Sequence, residues 1–290
     1  MKKLSPRAQI VLSMFIFGTI GVFRRWIPFA SSVVALARSA IGLVFLLALR
    51  ALKHEPVDKT AAKKNLLKLL ILGAMLGFNW IFLFEAYNHT SVAAATMCYY
   101  MAPVFIILLS PVVFGEKITL RKGLCAAAAV FGMVLVSDVL SGGLHGAKGL
   151  LFGLIAAALY AAIVIVNRTL RDISAEDRTI LQFAAAAAVM LPYVLVTEDV
   201  RALTFTPRVA VLLLILGVVH TGFAYVLYFG SIANVSSQTA ALLSYIDPVV
   251  AVLLSLTLLR EPMSVPAMLG AALVIGAMVV SEITPKRKNG

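Results

Sequence analysis

Three ionisable side chains interrupt runs that are otherwise apolar: Arg38, His220 and Asp247. If those runs cross a bilayer, a charge near its centre costs roughly 2.5–3.5 kcal/mol on insertion scales, and such a group faces a cavity or a partner. Arg38 lies deep in Ala35-Leu-Ala-Arg38-Ser, too far in to reach the interface easily. A guanidinium there can bind the carboxylate or phosphate of a solute, pair with an acid, or tie the carbonyls of neighbouring helices. Asp247 directly precedes Pro248. A proline inside a helix removes a backbone hydrogen bond and bends the chain. A carboxylate beside that bend can take an amine, carry a proton, pair with Arg38, or bond the freed backbone. His220 is either a proton relay or a neutral core histidine, the commoner case.

Uncharged candidates surround these three. Asn79 suits a solute amine or carboxylate, or merely a neighbouring helix. Tyr99, Tyr100 and Tyr160 suit a cavity wall or ordinary packing. Gln238, Leu242 and Tyr245 form one helical stripe. Asp247 lies about 200° further round than Tyr245 at about 100° per residue, so both face one site only if Pro248 distorts the helix. The expected binding set is Arg38, Asn79, Tyr99, Gln182, Tyr245 and Asp247, with Asp247 and His220 as candidates for proton coupling. Arg24 and Arg25 read as anchors at the outer interface.

The elements that position these groups follow from composition. Of 290 residues, 61% are apolar and 13% charged, with mean hydropathy +0.99. Soluble domains hold roughly 45–50% apolar and about 25% charged residues. Disorder, coiled coil, collagen and a disulfide scaffold are excluded, and a polytopic membrane protein remains. Only Cys98 and Cys125 are present, without a Cys/His cluster, so no metal site is expected. The chain lacks H-E-x-x-H, G-x-S-x-G, a Walker lysine loop and G-x-G-x-x-G, so neither an enzyme nor a cofactor is expected.

Apolar runs bounded by charge or proline predict ten spans, near 8–27, 29–49, 66–86, 91–114, 120–137, 148–166, 178–196, 208–231, 237–258 and 265–281. The longest connection is 50–65. Ser174-x-x-Asp177 reads as a capping box opening the seventh span. With the N-terminus inside, eighteen Lys and Arg fall inside and six outside: Arg24, Arg25, Lys148, Arg201, Arg208 and Arg260. That bias follows the positive-inside rule and places both termini in the cytoplasm. It also accounts for the formal charge of +12 without nucleic acid. Short loops and basic ends suit a bacterial inner membrane. Gly73-x-x-x-Gly77 and Gly149-x-x-x-Gly153 are close-packing faces and leave a homodimer open.

A shift of 145 residues aligns the chain with itself. Tyr100-Met-Ala-Pro103-Val104 falls on Tyr245-Ile-Asp-Pro248-Val249, Ser91 on Ser236, Glu116 on Glu261 and Gly77-Phe78 on Gly222-Phe223. Gln182 is the approximate counterpart of Arg38. Five spans per half reverse the second copy. The expected fold is therefore an all-α integral membrane protein, ten transmembrane helices arranged as two inverted five-helix repeats, 1–145 and 146–290. Inverted repeats are a common architecture of secondary transporters.

Tyr-x-x-Pro-Val followed by an apolar run, then Gly115-Glu116-Lys117 or Arg260-Glu261-Pro262, occurs twice. With Ala35-Leu-Ala-Arg38, this pattern resembles the EamA family of the drug/metabolite transporter superfamily, over essentially the whole chain. The sequence departs from the family in having Asp247 where many members have Glu, Ala102 in the first repeat, and Phe17-Gly18 where Trp-Gly is frequent. The resemblance implies a central cavity lined by spans 1–4 and 6–9, with spans 5 and 10 peripheral. It implies transport, often export, of small metabolites such as amino acids by alternating access. An organic-anion or phosphate-ester exchanger of the same superfamily is the alternative, and an intramembrane enzyme or scaffold a more distant one. The partners expected are a small-molecule substrate and the lipid bilayer.

Overall fold

The computed structural model describes residues 4–54, 57–115, 117–137, 146–232 and 234–283. Glu116, the side chain of Gln238 and the terminal charges Lys2, Lys3, Lys286, Arg287 and Lys288 lie outside the described residues. Among the described residues every regular element is helical. Nine helical stretches among them are long and apolar enough to cross a membrane. Several are built from two shorter helices meeting at a break.

The first stretch joins α1 (Pro6–Gly18) to α2 (Ile20–Trp26) at Thr19. Next come α3 (Ser31–Lys53), the short α4 (Lys59–Lys64) and α5 (Leu66–His89). α6 (Val92–Tyr99) and α7 (Ala102–Phe114) share one stretch, and α8 (Leu120–Val136) follows. The second half begins with α9 (Ala147–Asn167) and α10 (Ala175–Thr197). α11 (Pro207–Leu214) runs into a π-helical segment, Ile215–Phe223, and then α12 (Ala224–Ile232). α13 (Ser237–Ser244), α14 (Ile246–Thr257) and α15 (Val265–Glu282) complete the chain. α8, in the region of the expected fifth span, has 17 residues and is not among the nine. The expected 50–65 connection is partly helical, because Asp58 caps α4 by accepting from the amides of Thr60 and Ala61.

The helix starts are written in the sequence. Ser5, Ser91, Thr119, Ser174, Thr206, Ser236 and Ser264 each accept an amide of the first turn through the side-chain oxygen. Such a cap satisfies a donor that has no partner within the helix and is worth about 1 kcal/mol. Two of these caps recur at the 145-residue shift: Ser91 with Ser236, and Thr119 with Ser264. The break after α6 at Tyr100 matches the break at Tyr245. Gly115 and Arg260, also 145 apart, both adopt left-handed backbone, with φ of +67° and +53°.

Two apolar cores result. One gathers residues of α3, α5, α10 and the π segment; the other gathers α6, α7, α8 and α15. α8 and α15 meet at Gly132 and Gly270, where a Cβ on either would lie within 2.7 Å of the other's carbonyl oxygen. Gly73 and Gly77 are filled by Ala185 and Met190, and Gly149 and Gly153 by Thr90 and Cys98. Both small-residue faces are thus occupied from within the chain.

Candidate functional site

Arg38 is 3% exposed, on the face of α3 that packs against the π segment. Its Nε donates to Thr221 Oγ1 at 2.8 Å. Its guanidinium carbon lies 4.2 Å from the centroid of the Trp80 ring and 6.0 Å from that of Phe84. A desolvated cation over an indole face gains about 2 kcal/mol. The two terminal nitrogens have no protein acceptor among the described residues, and no described carboxylate is within ion-pair reach. They are not sealed in either, since neither is among the buried unpartnered atoms. The geometry is an anion fork with one edge and one face fixed and the other edge open.

The π segment holds this arrangement. Thr221 Oγ1 donates onward to the carbonyl of Leu216 at 2.9 Å, five residues back. His220 Nδ1 lies 3.2 Å from the carbonyl of Ile215, also five back, and its Nε2 lies 2.7 Å from Thr19 Oγ1. Both ring nitrogens are therefore engaged, one of them on the break in the first stretch. No described hydrogen bond joins His220 to Asp247.

Asp247 occupies a second centre. Its Oδ2 lies 2.9 Å from the hydroxyl of Tyr100, whose oxygen is also 3.2 Å from the carbonyl of Ser244. A phenol has one proton and cannot donate to both acceptors. A protonated Asp247 would resolve this by donating to Tyr100, which then donates to Ser244. The expected mid-helix bend at Pro248 is corrected by the structure. A new helix starts at Ile246, so Pro248 lies in a first turn, where its missing N–H had no intrahelical partner to lose.

The remaining expected residues divide between the centres. Asn79 is fully buried, and its amide donates to the carbonyl of Ala156 at 2.6 Å. Its Oδ1 faces the Tyr99 hydroxyl at 3.5 Å, so it helps place that ring. Tyr99 packs on Tyr160 at 5.4 Å and on Tyr100 at 6.3 Å between ring centroids. Tyr245 is 6.2 Å from Tyr100 and belongs to the core of α8 and α15. Gln182 bonds Asn167 Oδ1 at 2.7 Å, at the end of α9, and makes no described contact with Arg38. Its neighbour Phe183, 145 residues from Arg38, packs on Trp80 at 5.7 Å. Thr221, Trp80 and Thr19 were not singled out as Arg38 or His220 partners by the sequence. Gly217 and Gly222 flanking His220-Thr221 were the available signal, since each lets α3 approach the π segment closely.

The ends of the bundle differ. At the Arg25 end, Glu261 accepts from Arg25 at 2.6 Å, the amide of Val92 at 2.7 Å and Ser255 at 2.5 Å. Arg25 also donates to the carbonyl of Thr90 at 2.8 Å. Arg24 is no interface anchor: it is 3% exposed and donates to Ile27 and Ser31. At the opposite end Arg50 pairs with Asp177 at 2.9 Å and Glu176 at 3.7 Å. There a shallow cleft opens between α3, α10 and α12, lined by Leu46, Ile180, Tyr225, Val226 and Phe229. Tyr225 leads inward through Phe183 to Trp80, with ring centroids 5.3 and 5.7 Å apart.

The model of the EamA-like transporter family matches twice, over residues 8–138 and 147–282. A Bacillus subtilis protein named as the uncharacterized transporter YxxF is 24% identical, over 99% of this chain and 92% of its own length. An uncharacterized transporter of Archaeoglobus fulgidus is 26% identical, over 94% and 95%. Protein PecM of Dickeya dadantii is 23% identical, over 74% and 73%. One solved crystal structure, 18% identical, superposes with a TM-score of 0.68 over 94% of each chain, which shows a shared fold.

Proposed function

The chain belongs to the EamA-like transporter family, a membrane transporter of the drug/metabolite superfamily, and from that premise we propose that it is a secondary-active exporter of small carboxylate-bearing metabolites such as amino acids. The observation that carries this reading is the open edge of Arg38. A buried cation without a counter-charge is costly, and a planar carboxylate matches the two free nitrogens of a guanidinium. A phosphate-ester dianion would leave one charge unmatched at this single mid-bundle cation. Asp247 takes the substrate amine or carries the coupling proton, and the crowded Tyr100 hydroxyl supports the second role.

Ten spans in two inverted five-helix repeats deliver the alternating access. Two family matches, the paired caps, and the paired Tyr100 and Tyr245 breaks support that arrangement. The Arg25 end is then outside and the Arg50 end cytoplasmic, in a bacterial inner membrane with both termini inside. Glu261 holds the outer end shut in this state, and the cleft at Arg50 is the inner approach to Trp80 and Arg38.

The test is thermal stabilisation of detergent-purified protein by zwitterionic amino acids, organic cations and phosphate esters. A ligand at about 100 Kd stabilises by about 2.7 kcal/mol. Stabilisation by amino acids that Arg38→Ala abolishes is the expected outcome. Stabilisation by phosphate esters alone would replace this reading with an exchanger.

A further inference from the structure

The π-helical segment Ile215–Phe223 stands opposite Arg38, and π turns are rare and recur at functional sites. It sends out two neighbouring side chains in different directions: His220 to Thr19 in the first stretch, and Thr221 to Arg38 in α3. From this geometry we infer that Thr221 is the positioning residue of the anion site, holding Arg38 over Trp80 with its terminal nitrogens turned to the substrate. The inference rests on Arg38 being the anion-binding group.

Three contacts make the hold specific. The hydroxyl of Thr221 gives its proton to Leu216, so its lone pair is left for Arg38 Nε. A guanidinium fixed at Nε can present only its opposite edge. The methyl of Thr221 fills the space over Gly42, where an added Cβ would come within 2.6 Å of Thr221 Cγ2. Ile41 and Phe45 of α3 close in equally on Gly217 and Gly222 of the π segment. Thr221 is thus pressed against α3 by packing and cannot easily turn its hydroxyl away. Valine would keep this packing and remove the acceptor. Serine would keep the acceptor and remove the methyl.

Trp80 supplies the reporter. The chain has two tryptophans, so Trp26→Phe leaves Trp80 as the sole emitter, under the Arg38 guanidinium. In that background Thr221→Val should shift the Trp80 emission of ligand-free protein, because Arg38 leaves the ring. It should also weaken binding of glycine, titrated by the same emission, by roughly ten-fold or more, as expected for one lost hydrogen bond to a charged group. Thr221→Ser should restore most of both readouts, the share carried by the acceptor rather than by the methyl, a rescue that a merely structural role for the side chain does not predict. An unchanged emission spectrum in Thr221→Val would overturn the inference, since Arg38 would then be held without Thr221. If Thr221→Val does not fold, Gly42→Ala provides the second route. It should displace Thr221 and shift the emission, and Thr221→Ser added to it should reverse most of the shift by removing Cγ2. No shift in Gly42→Ala would equally overturn the inference. Absence of glycine binding in the parent protein would count against the proposed substrate class, while the ligand-free emission comparison still decides the role of Thr221.

Discussion

Arg38, buried, and Asp247, half-buried, are the basic and acidic groups of one bundle, yet they are held in different ways. Arg38 is fixed on one edge by Thr221 and on one face by Trp80. Asp247 has one described side-chain partner, the Tyr100 hydroxyl, which also lies near a backbone carbonyl. The cation is oriented from two sides and has no carboxylate within ion-pair reach among the described residues; the acid has a partner but too few protons. Arrangements of the first kind suit binding, because an anion completes them. Those of the second kind suit titration, because one proton completes them. The two centres meet along the break in the first stretch. Thr19 bonds His220 beside the cation, and a Cβ on Gly18 would lie 2.6 Å from the carbonyl oxygen of Asp247. Movement at Gly18-Thr19 is therefore felt at both.

The largest expected effect breaks the first centre. Arg38→Ala should abolish ligand stabilisation and transport while the ligand-free protein still folds, because relief of a buried charge offsets the lost contacts with Trp80 and Thr221. Arg38→Lys sharpens the point. Lysine keeps the charge but lacks both the Nε contact and the planar fork, so it should also lose ligand stabilisation. Normal binding by Arg38→Lys would reduce the centre to a point charge.

The second centre predicts a different phenotype. Asn at 247 mimics a neutral acid that donates to Tyr100. Asp247→Asn should therefore keep its melting temperature, with stability changed by less than about 1.5 kcal/mol, the worth of one hydrogen bond. It should retain substrate exchange in proteoliposomes and lose accumulation driven by a proton gradient. Gradient-driven accumulation in the Asn variant would remove Asp247 from coupling.

At the Arg25 end, Glu261→Gln should cost about 1.5–3 kcal/mol, as for hydrogen bonds to a charged group, read as a lower melting temperature. It should also raise labelling of a cysteine placed at Asn88, two residues before Thr90, whose carbonyl Arg25 holds. The residue before Glu261 offers the opposite change. Arg260 sits at φ +53°. A side chain in that left-handed region costs roughly 1–2 kcal/mol. Its counterpart in the first half, Gly115, sits at φ +67°. Glycine has no Cβ and meets no such cost. Arg260→Gly should raise the melting temperature and protect the same cysteine.

These contrasts also show which features periodicity can reach. Helical spans are visible because each needs a continuous apolar run, and the caps at Ser91, Ser174 and Ser236 are visible because their chemistry is local. The breaks at Thr19 and Tyr100 lie inside apolar runs and leave no mark on hydropathy. The π segment is invisible for the same reason: one extra residue in a turn does not change composition. Gln182 shows the limit of an approximate register. One residue on a helix is about 100°, which separates Gln182, bonded to Asn167, from Phe183, packed on Trp80. Asn79 is a case where the bland alternative describes the geometry, since its amide ties α5 to the backbone of α9.

The smallest effect belongs to the Arg50 end. Lys64 and Asp172 are paired there, and their side chains are 59% and 71% exposed. The Lys64 ammonium holds the Asp172 carboxyl below the usual carboxylate range. Water screens so exposed a pair, and ordering two mobile side chains offsets what attraction remains. Lys64→Ala should leave the melting temperature nearly unchanged, while the nearby hydrogen bond from Asn65 to the carbonyl of Arg171 keeps α5 against the turn after α9. Arg50→Ala should cost more. Asp177 has only 7% of its side chain exposed, and it would keep a buried charge without its cation. Equal losses from the two substitutions, measured as melting temperatures in the same detergent, would mean that burial does not set the strength of the closures at this end. The contrast drawn between the screened pair and the buried one would then fail.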